Sequence, residues 1–176
     1  MRASDAYDEL RRVVAGVVEQ VFLADIGICA PALTDYLADL LLDFMHVDRI
    51  YRLRNVDGEI IRDISRARTE AYLGPGVSRT ARQRIINRYI GDYTLFWTGL
   101  YPEALRPRRH YGVDRLHEYV LQGKRGYELA SELSGDQDRP PAELLHELSA
   151  QFEACVEGLH LVRASWDELS GALRQN

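Results

Sequence analysis

Apolar residues recur along this chain at steps of three and four, the period of one helix face, over most of its length. Leu10, Val13, Val14, Val17, Val18, Val21 and Phe22 make the first stripe, which predicts a helix over about 5–26 that Gly27 stops. Pro31 suits the first turn of a second helix, over about 31–54, because its missing N–H would be unpaired there anyway. Leu33, Leu37, Leu40, Leu41, Phe44 and Val47 form that helix's buried face, and Asp57-Gly58 ends the unit. The neighbouring stretch, residues 50–61, also admits a hairpin, since Asp-Gly is a favoured two-residue turn. Its alternation is poor, so helix, loop, helix is the preferred reading.

A third helix is expected over about 59–72, closed by "GPG" at 74–76, and a fourth over about 78–101. Pro102 and Pro107 bracket the loop before a fifth, over about 112–134, where Val113, Leu116, Val120, Gly123, Tyr127 and Ala130 follow heptad spacing. After the linker "SGDQDRPP", Leu145, Leu148, Phe152, Cys155, Leu159, Val162, Trp166, Leu169 and Leu173 alternate steps of three and four without a miss. That seam predicts one helix over about 140–174, roughly 50 Å long at 1.5 Å per residue. The positions beside it, among them Ser149, Gln151, Gly158 and Ser165, are small or uncharged, unlike the Glu and Lys that flank an exposed two-stranded coil. The fold expected is therefore all-α: a single-domain bundle of about five to six helices with the long C-terminal helix as its spine.

The fourth helix contains the stretch "RYIGDYTLFWTGLYPE" at 88–103, whose aromatic residues around one acid could form a ligand box. Placed on a helical wheel, Ile85, Phe96, Tyr89, Leu100, Tyr93, Ile86, Trp97, Ile90 and Tyr101 fill one arc of roughly 160°. Thr94, Asn87, Thr98 and Gly91 fall on the far side, and Asp92 stands at the edge with Arg88 one turn away. The wheel favours a wide core face over a ligand box. Asp92, Tyr93 and Trp97 stay as weak binding candidates, because a buried acid without Arg88 or a Tyr hydroxyl beside it would need a functional explanation.

Composition adds constraints without redirecting this picture. With 176 residues, 46% hydrophobic and 28% charged, the chain has the make-up of one globular domain able to bury its own core. Asp5, Asp8, Glu9, Arg11 and Arg12 stand where a signal peptide would need its apolar region, and the most apolar run, "LADLLLDFMHV", is broken by Asp39, Asp43 and His46. A soluble protein with no membrane span is expected. Two distant cysteines, Cys29 and Cys155, lack metal-ligand spacing and fit a reducing, cytoplasmic compartment.

Charge is unevenly spread: residues 1–48, 49–125 and 126–176 carry −6, +8 and −7, for a total of −5. The basic middle, with Arg62, Arg66, Arg79, Arg82, Arg84, Arg88, Arg108 and Arg109, could bind an anion or nucleic acid. Pairing with the acidic flanks or with a partner is the better reading, since the whole chain is acidic and no recognition motif accompanies the stretch. Lys124 is the sole lysine, which weakens the abundance of arginine as a sign of phosphate recognition.

Four of the five histidines follow an acid by three residues: Asp43/His46, Asp114/His117, Glu143/His146 and Glu157/His160. Acid-x-x-His is the spacing with which helical bundles hold di-iron centres. On the C-terminal seam, however, Glu143 and Glu157 lie opposite the apolar stripe and His146 and His160 fall beyond its edge, so both pairs are rejected as metal ligands. The sequence also lacks a phosphate-binding Gly-rich loop with Lys-Ser/Thr, a dinucleotide fingerprint, a nucleophile elbow, paired zinc cysteines and a Ca²⁺ loop. No catalytic residue and no cofactor is assigned, and the chain leans away from being an enzyme. The expectation is a noncatalytic bundle acting through protein association, with self-association into a homo-oligomer as one form. The alternative is a ligand- or metal-binding bundle with a pocket near Asp92, Tyr93 and Trp97, and nucleic-acid or anion binding through the basic middle ranks third.

Overall fold

A computed structural model describes residues 3–46, 78–105 and 115–174. Among these residues the chain forms six α-helices and no strand: α1 Ala3–Val21, α2 Pro31–His46, α3 Arg79–Leu100, α4 Arg115–Glu132, α5 Ala142–Ala150 and α6 Phe152–Arg174. The all-α helical bundle expected from the periodicity is what they build. The choice between helix and hairpin at 50–61, the third helix at 59–72 and the basic residues Arg62, Arg66, Arg108 and Arg109 lie outside the described residues.

The first stripe folds as predicted but is not all core. Val14, Val18, Val21 and Phe22 are buried, whereas Leu10 and Val13 on the same arc stay exposed, Val13 by 54%. The helix widens into a π-helical turn over Phe22–Ile26 and stops where Gly27 takes φ 79°, a left-handed cap that a side chain would strain. Leu33, Leu37, Leu40, Leu41 and Phe44 are buried on α2 as its periodicity requires.

The C-terminal seam departs from prediction in one respect. Leu145, Leu148, Phe152, Cys155, Leu159 and Val162 are all fully buried, yet the run is two helices, broken at Gln151. There ψ is 17°, far from the −42° of an ideal α-helix, although the Gln151 N–H still donates to the Glu147 carbonyl at 2.8 Å. The break lets one apolar seam follow two sets of neighbours: α5 packs mainly on α4, while α6 turns onto α3 and α1.

Helix α3 occupies the centre. Every residue from Ile90 to Leu100 is buried, on both the aromatic arc and the polar far side. The far side is covered because α4 comes close to it at facing glycines. A Cβ added to Gly126 of α4 would stand 2.6 Å from the Asn87 carbonyl oxygen, and one added to Gly91 of α3 would stand 2.6 Å from the Tyr127 ring. Thr94 and Thr98 are buried on this side, and each hydroxyl is satisfied by donating back into its own helix, to the Ile90 carbonyl at 2.6 Å and the Thr94 carbonyl at 2.7 Å. Ile85, at the edge of the predicted arc and nearer the N-terminal end of α3, is 53% exposed.

Candidate functional site

Asp92 is where the sequence placed its one open question, and three helices converge on it. The Tyr36 hydroxyl of α2 donates to Asp92 Oδ1 at 2.5 Å, and the Tyr127 hydroxyl of α4 donates to the same oxygen at 2.8 Å. Arg88, one turn earlier on α3, brings Nε to 3.5 Å from Oδ2, beyond good hydrogen-bond length but close enough for ionic attraction. Tyr127 reaches the acid only because Gly91 leaves room for its ring. Burial drives the Asp92 carboxyl up to about 6, and Tyr36, Arg88 and Tyr127 hold it back from rising further. Burial and the neighbouring carboxylate likewise push both tyrosine hydroxyls well above their ordinary value, so both remain donors at neutral pH.

Tyr93 and Trp97 are buried on α3, as Asp92 is. They continue an aromatic ladder along α3, Tyr89, Tyr93, Trp97 and Tyr101, with successive ring centroids 5.7, 6.2 and 5.8 Å apart. Phe44 of α2 stacks on Phe96 at 4.6 Å, joining α2 to the ladder's flank. Trp97 is 7% exposed, and its indole Nε1–H has no hydrogen-bond acceptor among the described residues. The aromatic segment is thus core, with a satisfied acid at its margin, as the wheel favoured.

The rejected metal pairs lie on the surface. Glu143, His146, Glu157 and His160 are all exposed. His146 Nδ1 is 3.2 Å from Glu128 Oε2, across the α4–α5 contact. His160 Nδ1 lies against the Gly99 carbonyl, and the Arg163 guanidinium, one turn later, donates to the Leu100 carbonyl and to Glu103. Two α6 side chains therefore cap the C-terminal end of α3, where its unpaired carbonyls carry the negative end of the helix dipole. Among the described residues no cluster of three or more His, Cys, Asp or Glu could hold a metal ion.

Two arginines of the basic middle, Arg84 and Arg88, are engaged inside the fold. Arg84, nearly buried, donates from Nε to Ser134 Oγ at 2.7 Å and from Nη2 to the Pro140 carbonyl at 2.9 Å, fastening α3 to the loop between α4 and α5. Arg88 is held beside Asp92. Cys155 is buried, which pushes its thiol up to about 12 and leaves it unreactive, while Cys29 is exposed and unbridged. No described helix is long and apolar enough to cross a membrane.

One feature that linear reading missed is an open cleft of about 470 Å³ along the outer side of the α3–α4 contact. Its floor is Ile86 and Ile90 of α3 with Gly126 and Leu129 of α4 and Leu133 just beyond it; Gln83, Asn87, Gln122, Arg125 and Glu132 line its sides. On both helices these residues recur at three and four, the same periodicity that marks a buried face, so their pattern alone could not separate groove from core. The close approach at Gly126 draws the two helices together, and nothing among the described residues covers the groove that results. Neither a protein-family description, nor a curated protein, nor a solved structure matches this chain.

Proposed function

We propose that this chain acts without a reaction of its own, as a helical scaffold that associates with protein, in the first instance with itself. The α3–α4 groove carries this reading: it is a broad concave surface with an apolar floor, and its sides are furnished with carboxamides and one charge of each sign. The buried acid Asp92, of the kind a catalytic site would use, is instead matched to the Tyr36 and Tyr127 hydroxyls. A cytoplasmic setting suits the exposed, unbridged Cys29. Sedimentation of the purified chain tests the proposal. A mass above that of one chain is expected; a strict monomer that also retains no protein in affinity capture would overturn it.

A second reading, binding of a small ligand beside Tyr93 and Trp97, is favoured by the buried indole N–H of Trp97, for which a ligand atom could supply the missing acceptor. Elemental analysis and an absorption spectrum of the purified protein distinguish it, since a metal or chromophore would register in one or the other. Nucleic-acid binding ranks below both, because Arg84 and Arg88 of the middle segment are taken up by internal contacts and the chain as a whole carries a net charge of −5.

A further inference from the structure

The groove has a polarity that specifies its occupant. Helices α3 and α4 run antiparallel: Gly91 faces Tyr127, Thr94 faces Gly123, and Arg84 reaches Ser134. Along the α4 wall Arg125 stands toward one end and Glu132 toward the other, seven residues and therefore about 10 Å apart. Both side chains are exposed, and neither makes an ion pair among the described residues. Between them lie the partly exposed apolar side chains of Ile86 and Leu129.

A surface with a cation at one end, an anion at the other and an apolar strip between is complementary to itself under a two-fold axis perpendicular to the strip. Resting on the association reading above, we propose that the α3–α4 groove is a two-fold interface between two copies of this chain. Arg125 of each copy pairs with Glu132 of the partner subunit, and the two apolar floors close on each other as a four-helix layer. A two-fold axis along the strip would instead lay each α4 wall over the partner's α3 wall and leave Arg125 and Glu132 without opposite charges, so it gains no such pairing. The charges at the groove ends cancel, so a polyanion gains nothing there. Among amphipathic helices, one from a second copy is the occupant whose charges the groove itself supplies.

Charge reversal gives the test, read as the dimer dissociation constant of the full chain over a concentration series. Because the contact is reciprocal, Arg125→Glu alone places two acid–acid contacts in the dimer, and Glu132→Arg alone places two base–base contacts. Each single variant is expected to weaken dimerisation by about tenfold or more, and the double variant, Arg125→Glu with Glu132→Arg, to restore it. Mixing the two single variants is expected to yield a heterodimer tighter than either homodimer, since both crossed contacts are then opposite in sign. Both positions are exposed, so helical content should stay unchanged, and circular dichroism checks that it does. If the single variants dimerise like the parent chain, the groove assignment fails while association itself stands. A parent chain that is monomeric throughout overturns the second-copy assignment, and capture of another protein by that monomer would give the groove to a heterologous partner.

Discussion

Asp92 is a carboxylate that the fold holds at a cost. Its ordinary value of 3.8 rises to about 6 in the folded chain through burial, so the folded state binds the proton more tightly than the unfolded state. For a group shifted upward, the stabilising effect of protonation is complete below the unfolded value and is lost as pH rises through the folded one. Ionised Asp92 should therefore disfavour the fold by ~3 kcal/mol above about pH 6, relative to a neutral group in the same place. Asp92→Asn keeps an acceptor for Tyr36 and Tyr127 and removes the charge, at the loss of the Arg88 attraction. Urea unfolding of both proteins at two pH values checks this: the stability of the parent relative to Asp92→Asn should improve as pH falls from 7 toward 4, and a pH-independent difference would refute it. The candidate site was legible in part. Arg88 could be found one helical turn from Asp92, but Tyr36 and Tyr127 lie 56 and 35 residues away, and no local pattern announces a bond that closes such loops.

At the scale of elements, the glycines sort into two kinds that the sequence does not distinguish. Gly16 on α1 has nothing within 4 Å of an added Cβ, so Gly16→Ala should stabilise the chain by up to ~1 kcal/mol through helix propensity. Gly126→Ala drives a methyl against the Asn87 backbone, which cannot rotate away, and should destabilise by ~1–3 kcal/mol. Thermal unfolding of the two variants gives shifts of opposite sign if the α3–α4 contact is as close as described. The helices themselves were readable: the stripes at 10–22, 33–44 and 145–162 all fold as helix, because a repeated apolar face has few other ways to be buried. Less readable was which side of a stripe is covered. Leu10 and Val13 belong to the α1 periodicity yet are exposed, and Thr94 and Thr98, on a polar side that another helix or solvent could equally have met, are buried. The deciding neighbour in each case comes from another helix. The break at Gln151 is also invisible in the seam, whose steps pass through it unchanged.

For the whole molecule, a two-fold assembly ties stability to concentration. If the folded chain pairs and the unfolded chain does not, mass action favours folding more strongly as protein is added. The unfolding midpoint of the parent chain should then climb across a dilution series, while that of Arg125→Glu stays nearly flat. A parent midpoint independent of concentration would contradict the assembly.

The meeting of Tyr36, Asp92 and Tyr127 has a consequence for which bundle forms. Their bonds join three helices at a single oxygen atom, and only one axial alignment of α2, α3 and α4 brings both hydroxyls to it. Apolar faces alone are forgiving, since a helix slid by one turn still presents Leu or Val to its neighbour. Such a slide would bury the Asp92 carboxylate without its donors, a penalty of several kcal/mol. The acid that weakens the correct packing would thus weaken the slipped ones more, and so acts as a selector among alignments that greasy surfaces could not tell apart.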